Sequence, residues 1–378
     1  MSNAGNVVPL HETPPGSAAI VRLPGPFRLW RGGNLPEVQL ACETWGTLSP
    51  ERDNAVLLFT GLSPGPHAAS SSEDATPGWW EYMIGPGRPL DTRRYFVVCV
   101  NSLGGCFGTT GPASLDPRTK EPYRLNFPEL TVEDITSSAR AALQALGVER
   151  LRAVVGASLG GMASLAYAIQ YPEEVDNLVT ISAASRATPF AIGLRSLQRE
   201  IVRNDPAWKE GFYPTGKGPR EGMRLARKLG LMSYRSAVEW QQRFGRERLK
   251  THAVEQAPFA MEFEIEAYLE HNATKFVDCF DANSYLYLSR AMDWFDVAEH
   301  GGTVEAGLAR IQARRTLVVG VETDFLFPMQ QQEEIAASLY TQGRDVTFTP
   351  LSSIHGHDAF LVDRERFAPV MARFFAEL

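Results

Sequence analysis

Apolar residues along the chain fall into two textures. Short β-rich runs, "AVLLFT" (55–60), "RYFVVCVN" (94–101), "LRAVVGAS" (151–158) and "NLVTISAA" (177–184), read as buried strands, because near-continuous Val, Ile and Leu suit a sheet covered on both faces. Between them stand stretches with apolar residues at helical spacing. In "TVEDITSSARAALQALGV", Thr131 and Asp134 suit a helix start and Gly147 suits its end. "GGMASLAYAIQYP" reads as a helix stopped near Pro172, since proline lacks the N–H that a helix interior requires. Strand and helix alternate through Ala184, which predicts a mostly parallel central sheet flanked by helices.

From about Arg186 to His300 the texture changes to charged, aromatic-rich helical stretches such as "IGLRSLQREIVRNDPAW" and "DANSYLYLSRAMDWFDVAEH". This is the pattern of an inserted helical lid. The alternation then resumes with "RTLVVGV" (315–321), a helix in "QQQEEIAASLYTQG", a strand in "DVTFTPL" (345–351) and a closing amphipathic helix that reaches Leu378. Neither β/α portion carries many strands alone, so the two are expected to share one sheet. The predicted organisation is a loose Pro/Gly-rich leader over 1–20, a first core part over 21–185, the lid over 186–300 and a second core part over 301–378.

Composition narrows the function. With 378 residues, 44% hydrophobic and 21% charged, the chain is long enough for one large α/β domain with an insertion, or for two domains. A net charge of -7 argues against general attraction to nucleic acid or to anionic membranes, and leaves room for a local basic pocket that binds a small anion. Cys42, Cys99, Cys106 and Cys279 are far apart with no C-x-x-C pair, so neither a zinc site nor a disulfide framework is expected. The N-terminal stretch shows no basic start followed by an apolar core, and no later stretch approaches the roughly 20 apolar residues that span a bilayer. A cytoplasmic protein is the expectation.

The candidate chemistry sits where "LRAVVGAS" must turn into "LGGMASLAY". Gly156-Ala157-Ser158-Leu159-Gly160 matches G-x-S-x-G between a strand and a helix, the setting that holds a serine on a strained turn at the top of an α/β-hydrolase sheet. A serine hydroxyl needs a base, normally a histidine oriented by a carboxylate, and in this fold class the chain order is serine, acid, histidine. Of the later histidines, His252, His271 and His300 lie in the helical insertion, whereas His355 and His357 follow a late strand in "LSSIHGHDAF". Asp324 in "VVGVETDFLFP" lies just past the preceding strand, where the acid is expected. Spacing alone does not separate His355 from His357, and Asp358 competes with Asp324. Cys106 in "NSLGGC" is a weaker second candidate nucleophile.

"GASLGGM", "TDFLFP" and "GHDAFLVD" together resemble the homoserine O-acetyltransferase family of α/β-hydrolase-fold acyltransferases. The resemblance covers nearly the whole chain, through "CETWGTL" (42–48), "GWWEYMIGPGRPLDTRRYFVVCVNSLGGCFGTTGPASLDP" and "YLEHNATKFVDCFDANSYLYLSRAMDWFD". It implies acyl transfer from acyl-CoA to an amino-acid hydroxyl through an acyl-serine, with no metal or other cofactor, in a homodimer. It also implies Ser158 as nucleophile, Asp324 as orienting acid and His357 as base. Arg227 and Asp358 match the family's residues for the substrate carboxylate and ammonium, and the backbone N–H groups of Leu62 and Leu159 are expected to form the oxyanion hole.

Where the homoserine enzymes carry a leucine-threonine-glycine stretch, this chain has "GLSPGPHA", with Pro64 in the glycine's place. With "YLYLSRAMDWFD" and "AIGLRSLQRE", this is similar to the family's serine O-succinyltransferase branch. The branch implies a succinyl donor, whose extra carboxylate calls for an arginine. Arg186 and Arg195 are the candidates. Homoserine acylation and plain ester hydrolysis are the alternative activities, and the complete Ser158, Asp324 and His357 set argues against a non-enzymatic binding scaffold.

Overall fold

The computed structural model describes residues 6–8, 19–250 and 258–378. Nine strands form one sheet: β1 (Asn6–Val8), β2 (Ala19–Arg28), β3 (Asn34–Trp45), β4 (Ala55–Phe59), β5 (Phe96–Val100), β6 (Ala153–Ala157), β7 (Asn177–Ile181), β8 (Arg315–Val321) and β9 (Asp345–Leu351). Their spatial order is β1-β2-β3-β5-β4-β6-β7-β8-β9. Pairing is parallel from β5 to β9 and antiparallel across β1, β2 and β3 at one edge. The mostly parallel α/β-hydrolase sheet expected from the pattern is therefore present, as one sheet joining both core parts.

The core follows from strand periodicity. Leu57 and Phe59 of β4 point into one apolar layer, and Val56 and Leu58 into the other. Each large aliphatic side chain buried in this way contributes about 1.5–3 kcal/mol relative to exposure. Helix α1 (Val132–Ala145) starts where the sequence placed it: the Thr131 hydroxyl accepts from the Asp134 N–H, and the Asp134 carboxylate accepts in return from the Thr131 N–H. Gly147 ends that segment at φ +80°. Helix α2 (Leu159–Gln170) runs from Ser158 to just before Pro172.

The lid helices are α3 (Pro189–Arg203), α4 (Arg220–Tyr234), α5 (Ala237–Phe244), α6 (Glu264–Val277) and α7 (Ala282–Trp294), all between β7 and β8. Side-chain caps set several starts: Thr188 accepts from the Ala191 N–H, Ser236 from the Glu239 N–H and Asp281 from the Ser284 N–H. Tyr287 of α7 ties the lid to the core by donating to the Phe127 carbonyl at 2.7 Å. A short α8 (Val304–Leu308), α9 (Met329–Thr341), α10 (Ala359–Val362) and α11 (Arg364–Ala376) complete the chain.

The structure differs from the sequence reading at the N-terminus. Asn6–Val8 and Ala19–Ile20, inside the expected leader, are strand; the rest of residues 1–18 lie outside the described residues. Strands β2 and β3 were not predicted at all. Pro24, Gly25 and Pro26 interrupt the first, where the register shifts between Pro24 and Phe27, and β3 is buried on both faces near its end, which removes the alternation that marks an edge strand. No helix among the described residues is long and apolar enough to cross a membrane.

Candidate active site

Ser158 follows β6, Asp324 follows β8 and His357 follows β9, so all three side chains lie at the carboxyl end of the parallel strands. Crevices in open α/β sheets form there. Ser158 adopts φ +58°, ψ -123°, a region costly for a residue with a Cβ. The flanking glycines make the turn feasible. A Cβ on Gly156 would stand 2.0 Å from the Gly160 carbonyl oxygen, and one on Gly160 would stand 2.6 Å from the Phe59 carbonyl oxygen. Leu159 begins α2, so its N–H has no partner within the helix and belongs to the helix's positive end.

Asp324 is held by its own turn: Oδ1 accepts from the N–H groups of Leu326 at 3.0 Å and Phe327 at 2.9 Å, and Oδ2 lies 2.7 Å from His357 Nδ1. Both side chains are buried, and the His357 ring stacks on Phe327 with centroids 4.9 Å apart. Nδ1 is thereby committed, leaving Nε2 as the ring nitrogen able to take a proton. Burial works against a charged His357, but the charge and hydrogen bond of Asp324 and the charge of Asp358 outweigh burial and Arg195, so the ring titrates above its ordinary value.

The other histidines are placed elsewhere. His355 Nδ1 lies 3.3 Å from Glu239 Oε1, His300 is buried against Glu133 at 3.1 Å, and His271 is exposed on α6. His252 lies outside the described residues. Cys106 is largely buried with its thiol pushed up to about 12, which leaves it un-ionised and a poor nucleophile.

One cavity joins Ser158 and His357 to Leu62, Arg195, Arg227 and Asp358. Leu62 comes from the loop after β4, Arg195 from α3 and Arg227 from α4. Arg195 is 5% exposed; its Nε donates to Asp293 Oδ1 at 2.5 Å, and its Nη2 is buried without a partner. Asp293 also meets Arg199 at 2.7 Å, so each of its oxygens faces a guanidinium. Arg227 lies 4.3 Å from the Phe276 ring centroid and 3.4 Å from Ser63 Oγ, and no carboxylate pairs with it among the described residues. Burial raises Asp358, against the opposing charges of Arg235, His357 and Arg227, and its Oδ2 lies 3.1 Å from Arg235 Nε.

Arg186 does not join this group. It is half-exposed, pairs with Glu334 at 2.9 Å and lies outside the cavity lining. Trp79, Trp80, Tyr285, Ser289 and Met292 do line the cavity. The spacing of the last three, four and then three residues apart on α7, is the face of a helix and was readable as such. No cluster of three or more His, Cys, Asp or Glu among the described residues is arranged to hold a metal ion.

A family model for the α/β hydrolase fold matches residues 54–349. Over 363 residues the chain is 59% identical to a serine O-succinyltransferase of Litchfieldella anticariensis, covering 96% of this chain and 99% of that one. It is 53% identical over 371 residues to an L-serine/homoserine O-acetyltransferase of Streptomyces lavendulae, covering 97% and 99%. Among solved structures, homoserine O-acetyltransferase from Bacillus anthracis matches with a TM-score of 0.86 at 27% identity, over 94% of this chain and 97% of that one. Esterase E22 matches with a TM-score of 0.85 at 27% identity, over 94% and 99%. The chain belongs to the α/β hydrolase fold family and, within it, to the O-acyltransferases that include these serine and homoserine enzymes.

Proposed function

We propose that this acyltransferase moves a succinyl group from succinyl-CoA to the hydroxyl of L-serine through an acyl-Ser158 intermediate. His357 Nε2 takes the Ser158 proton, the serine oxygen attacks the thioester carbonyl, and the N–H groups of Leu62 and Leu159 receive the oxyanion. The same ring protonates the departing CoA thiolate. It then takes the proton of the acceptor hydroxyl, which attacks the acyl-enzyme carbonyl, and hands that proton to Ser158 Oγ as the Ser158–acyl bond breaks and the new ester leaves. Asp324 fixes the ring and stabilises its charged form.

One observation carries the reading: Arg195 Nη2 and Arg227 share the Ser158 cavity, and neither group is saturated by a carboxylate of the protein. Ester hydrolysis needs neither. A transferase that handles an ω-carboxylate on the acyl group and an α-carboxylate on the acceptor uses both, with Asp358 for the acceptor's ammonium. Arg195 is assigned to the succinyl carboxylate because Asp293 already aims it, and Arg227 to the amino acid. The relatives support serine as acceptor, since both curated enzymes carry serine in their names.

The Streptomyces relative favours one second reading, an acetyl donor and a homoserine acceptor. Assaying acetyl-CoA and succinyl-CoA against L-serine and L-homoserine, by thiol release and product chromatography, separates the readings. Succinyl-CoA with L-serine is expected to give the highest kcat/KM. Preference for acetyl-CoA overturns the donor assignment, and preference for homoserine overturns the acceptor. A role in the cytoplasmic supply of cysteine precursors, as a homodimer, belongs to the same proposal. Exposed Phe190 and Leu197 on α3 and Met232 on α4 offer lid surface for self-association, which sedimentation measures.

A further inference from the structure

The loop that carries Leu62 continues to His67, whose two ring nitrogens both face acceptors. Nδ1 lies 2.9 Å from Glu43 Oε2 and 3.1 Å from Oε1, on β3, and Nε2 lies 2.9 Å from the Thr76 carbonyl oxygen. A carbonyl oxygen only accepts, and the Thr76 hydroxyl, 3.3 Å from Nε2, donates to Asp74 Oδ1 at 2.6 Å, so Nε2 carries a proton. A neutral ring would then turn its Nδ1 lone pair toward an ionised carboxylate, and two acceptors with no proton between them repel. The contact needs one more proton, whether it resides on Nδ1 or on Glu43.

The surroundings favour keeping that proton. Asp74 Oδ2 lies 3.9 Å from Nδ1, and no Lys or Arg pairs with Glu43 or Asp74 among the described residues. Cys99 stands opposite Glu43 in the β3–β5 register, and burial holds its thiol well above the ordinary value, hence neutral. Burial opposes a charge on His67, but the Thr76 carbonyl, Glu43 and Asp74 outweigh it and raise the ring. Burial likewise raises Glu43.

The clamp sits under the cavity wall. The His67 carbonyl accepts from the Trp79 N–H at 3.3 Å, Trp79 Nε1 donates to the Gly65 carbonyl at 3.1 Å, and the Trp80 N–H donates to the Ala68 carbonyl at 2.8 Å. The two segments press together so closely that a Cβ on Gly78 would stand 2.1 Å from the Ala68 carbonyl carbon. Leu62, Trp79 and Trp80 all line the cavity. His67 bolts this assembly to β3 on one side and to the 74–76 turn on the other.

We propose that His67 and Glu43 are positioning residues for the oxyanion side of the cavity: the proton they share clamps the Leu62 loop and Trp79, and its loss at alkaline pH loosens them and slows acylation of Ser158. This rests on the reading of Ser158 as nucleophile and Leu62 as an oxyanion donor. The sign follows from the geometry. The clamp is intact below the pH at which the shared proton leaves and fails above it.

The test uses the full-length protein and two amino-acid-free readouts, hydrolysis of p-nitrophenyl acetate and the thiol burst from acyl-CoA, from about pH 6 to about pH 10. The wild type should show an alkaline fall in kcat. In Glu43→Gln the amide can donate to Nδ1 while Nε2–H still reaches Thr76, so a neutral ring satisfies the clamp and the alkaline fall should disappear. His67→Ala should lose on the order of 10–100-fold in kcat with KM little changed, the scale of a misplaced oxyanion donor. A wild-type rate flat to high pH, an alkaline fall retained in Glu43→Gln, or full activity in His67→Ala overturns the proposal. Should the alanine variant not fold, nitrogen-15 spectra of labelled wild-type histidine decide: a hydrogen-bonded or protonated His67 Nδ1 below the pH of the kinetic fall, and a free Nδ1 lone pair above it, are expected, and a His67 signal unchanged across that fall overturns the proposal. Ser158→Ala with undiminished ester and burst activity would refute the parent reading instead, while the histidine spectra would still report on the clamp.

Discussion

The core and lid walls of the cavity are built differently. On the core side, Ser158 is held by a strained turn that Gly156 and Gly160 make possible, and Asp324 by two N–H groups of its own turn. Backbone holds both residues in place. On the lid side, Arg195 and Arg227 stand on helices and are aimed by other side chains, Arg195 by Asp293 and Arg227 by the Phe276 ring. Side chains hold the two cavity cations. An esterase and a homoserine O-acetyltransferase share this architecture at TM-scores of 0.85 and 0.86 over 94% of the chain, helical insertion included, so the architecture alone does not decide the reaction.

Breaking the core wall should have the largest effect. Ser158→Ala is expected to lower kcat/KM by about 10⁴–10⁶-fold with both donors while thermal unfolding stays near wild type. Full transfer by that variant would remove the acyl-serine route. His357→Ala should cost about 10⁴-fold and His355→Ala less than about ten-fold, because Asp324 orients one ring and Glu239 faces the other. Single-turnover thiol release ranks the two histidines, and the reverse order contradicts the assignment.

Breaking the lid wall should be selective rather than total. Arg195→Leu strands the succinyl carboxylate in a buried site, so kcat/KM for succinyl-CoA is expected to fall about 100-fold or more, while acetyl-CoA turnover holds or improves. Equal loss with both donors would reduce Arg195 to a support of the lid. The smallest effect links the walls. His357 titrates above an ordinary imidazole, so acylation should fall as pH drops through a value above ~6.5, where the base gains its proton. Arg195 lowers that value, and Arg195→Leu should move the acid limb upward by less than about one unit in a pH profile with acetyl-CoA. An unmoved or lowered limb would mean that the arginine and the base do not sense each other.

The same division governs what was legible in the sequence. β8 and β9 begin and end where their apolar runs do, at 315–321 and 345–351, and Thr131 with Asp134 announces α1. Local signals of this kind also gave the Ser158 turn. By contrast, His357 and His355 lie two positions apart; spacing does not separate them, whereas the family resemblance does and, in the structure, so does the contact with Asp324 across 33 residues of chain. Arg186 and Arg195 looked alike for the same reason: the first pairs with Glu334 at the surface and the second with Asp293 in the interior. Neither partner is near in sequence. The His67–Glu43 pair spans 24 residues between a loop and a strand that Pro24, Gly25 and Pro26 helped to hide by obscuring the strand paired with it.

The most direct test of the account lets succinyl-CoA and acetyl-CoA compete at equal concentration, without acceptor, and reads by peptide mass spectrometry which acyl group is on which residue. The wild type should carry succinyl on Ser158, and Arg195→Leu should carry mostly acetyl on Ser158. The same acyl mixture in both proteins, or an adduct on a residue other than Ser158, would contradict the division of labour between core and lid.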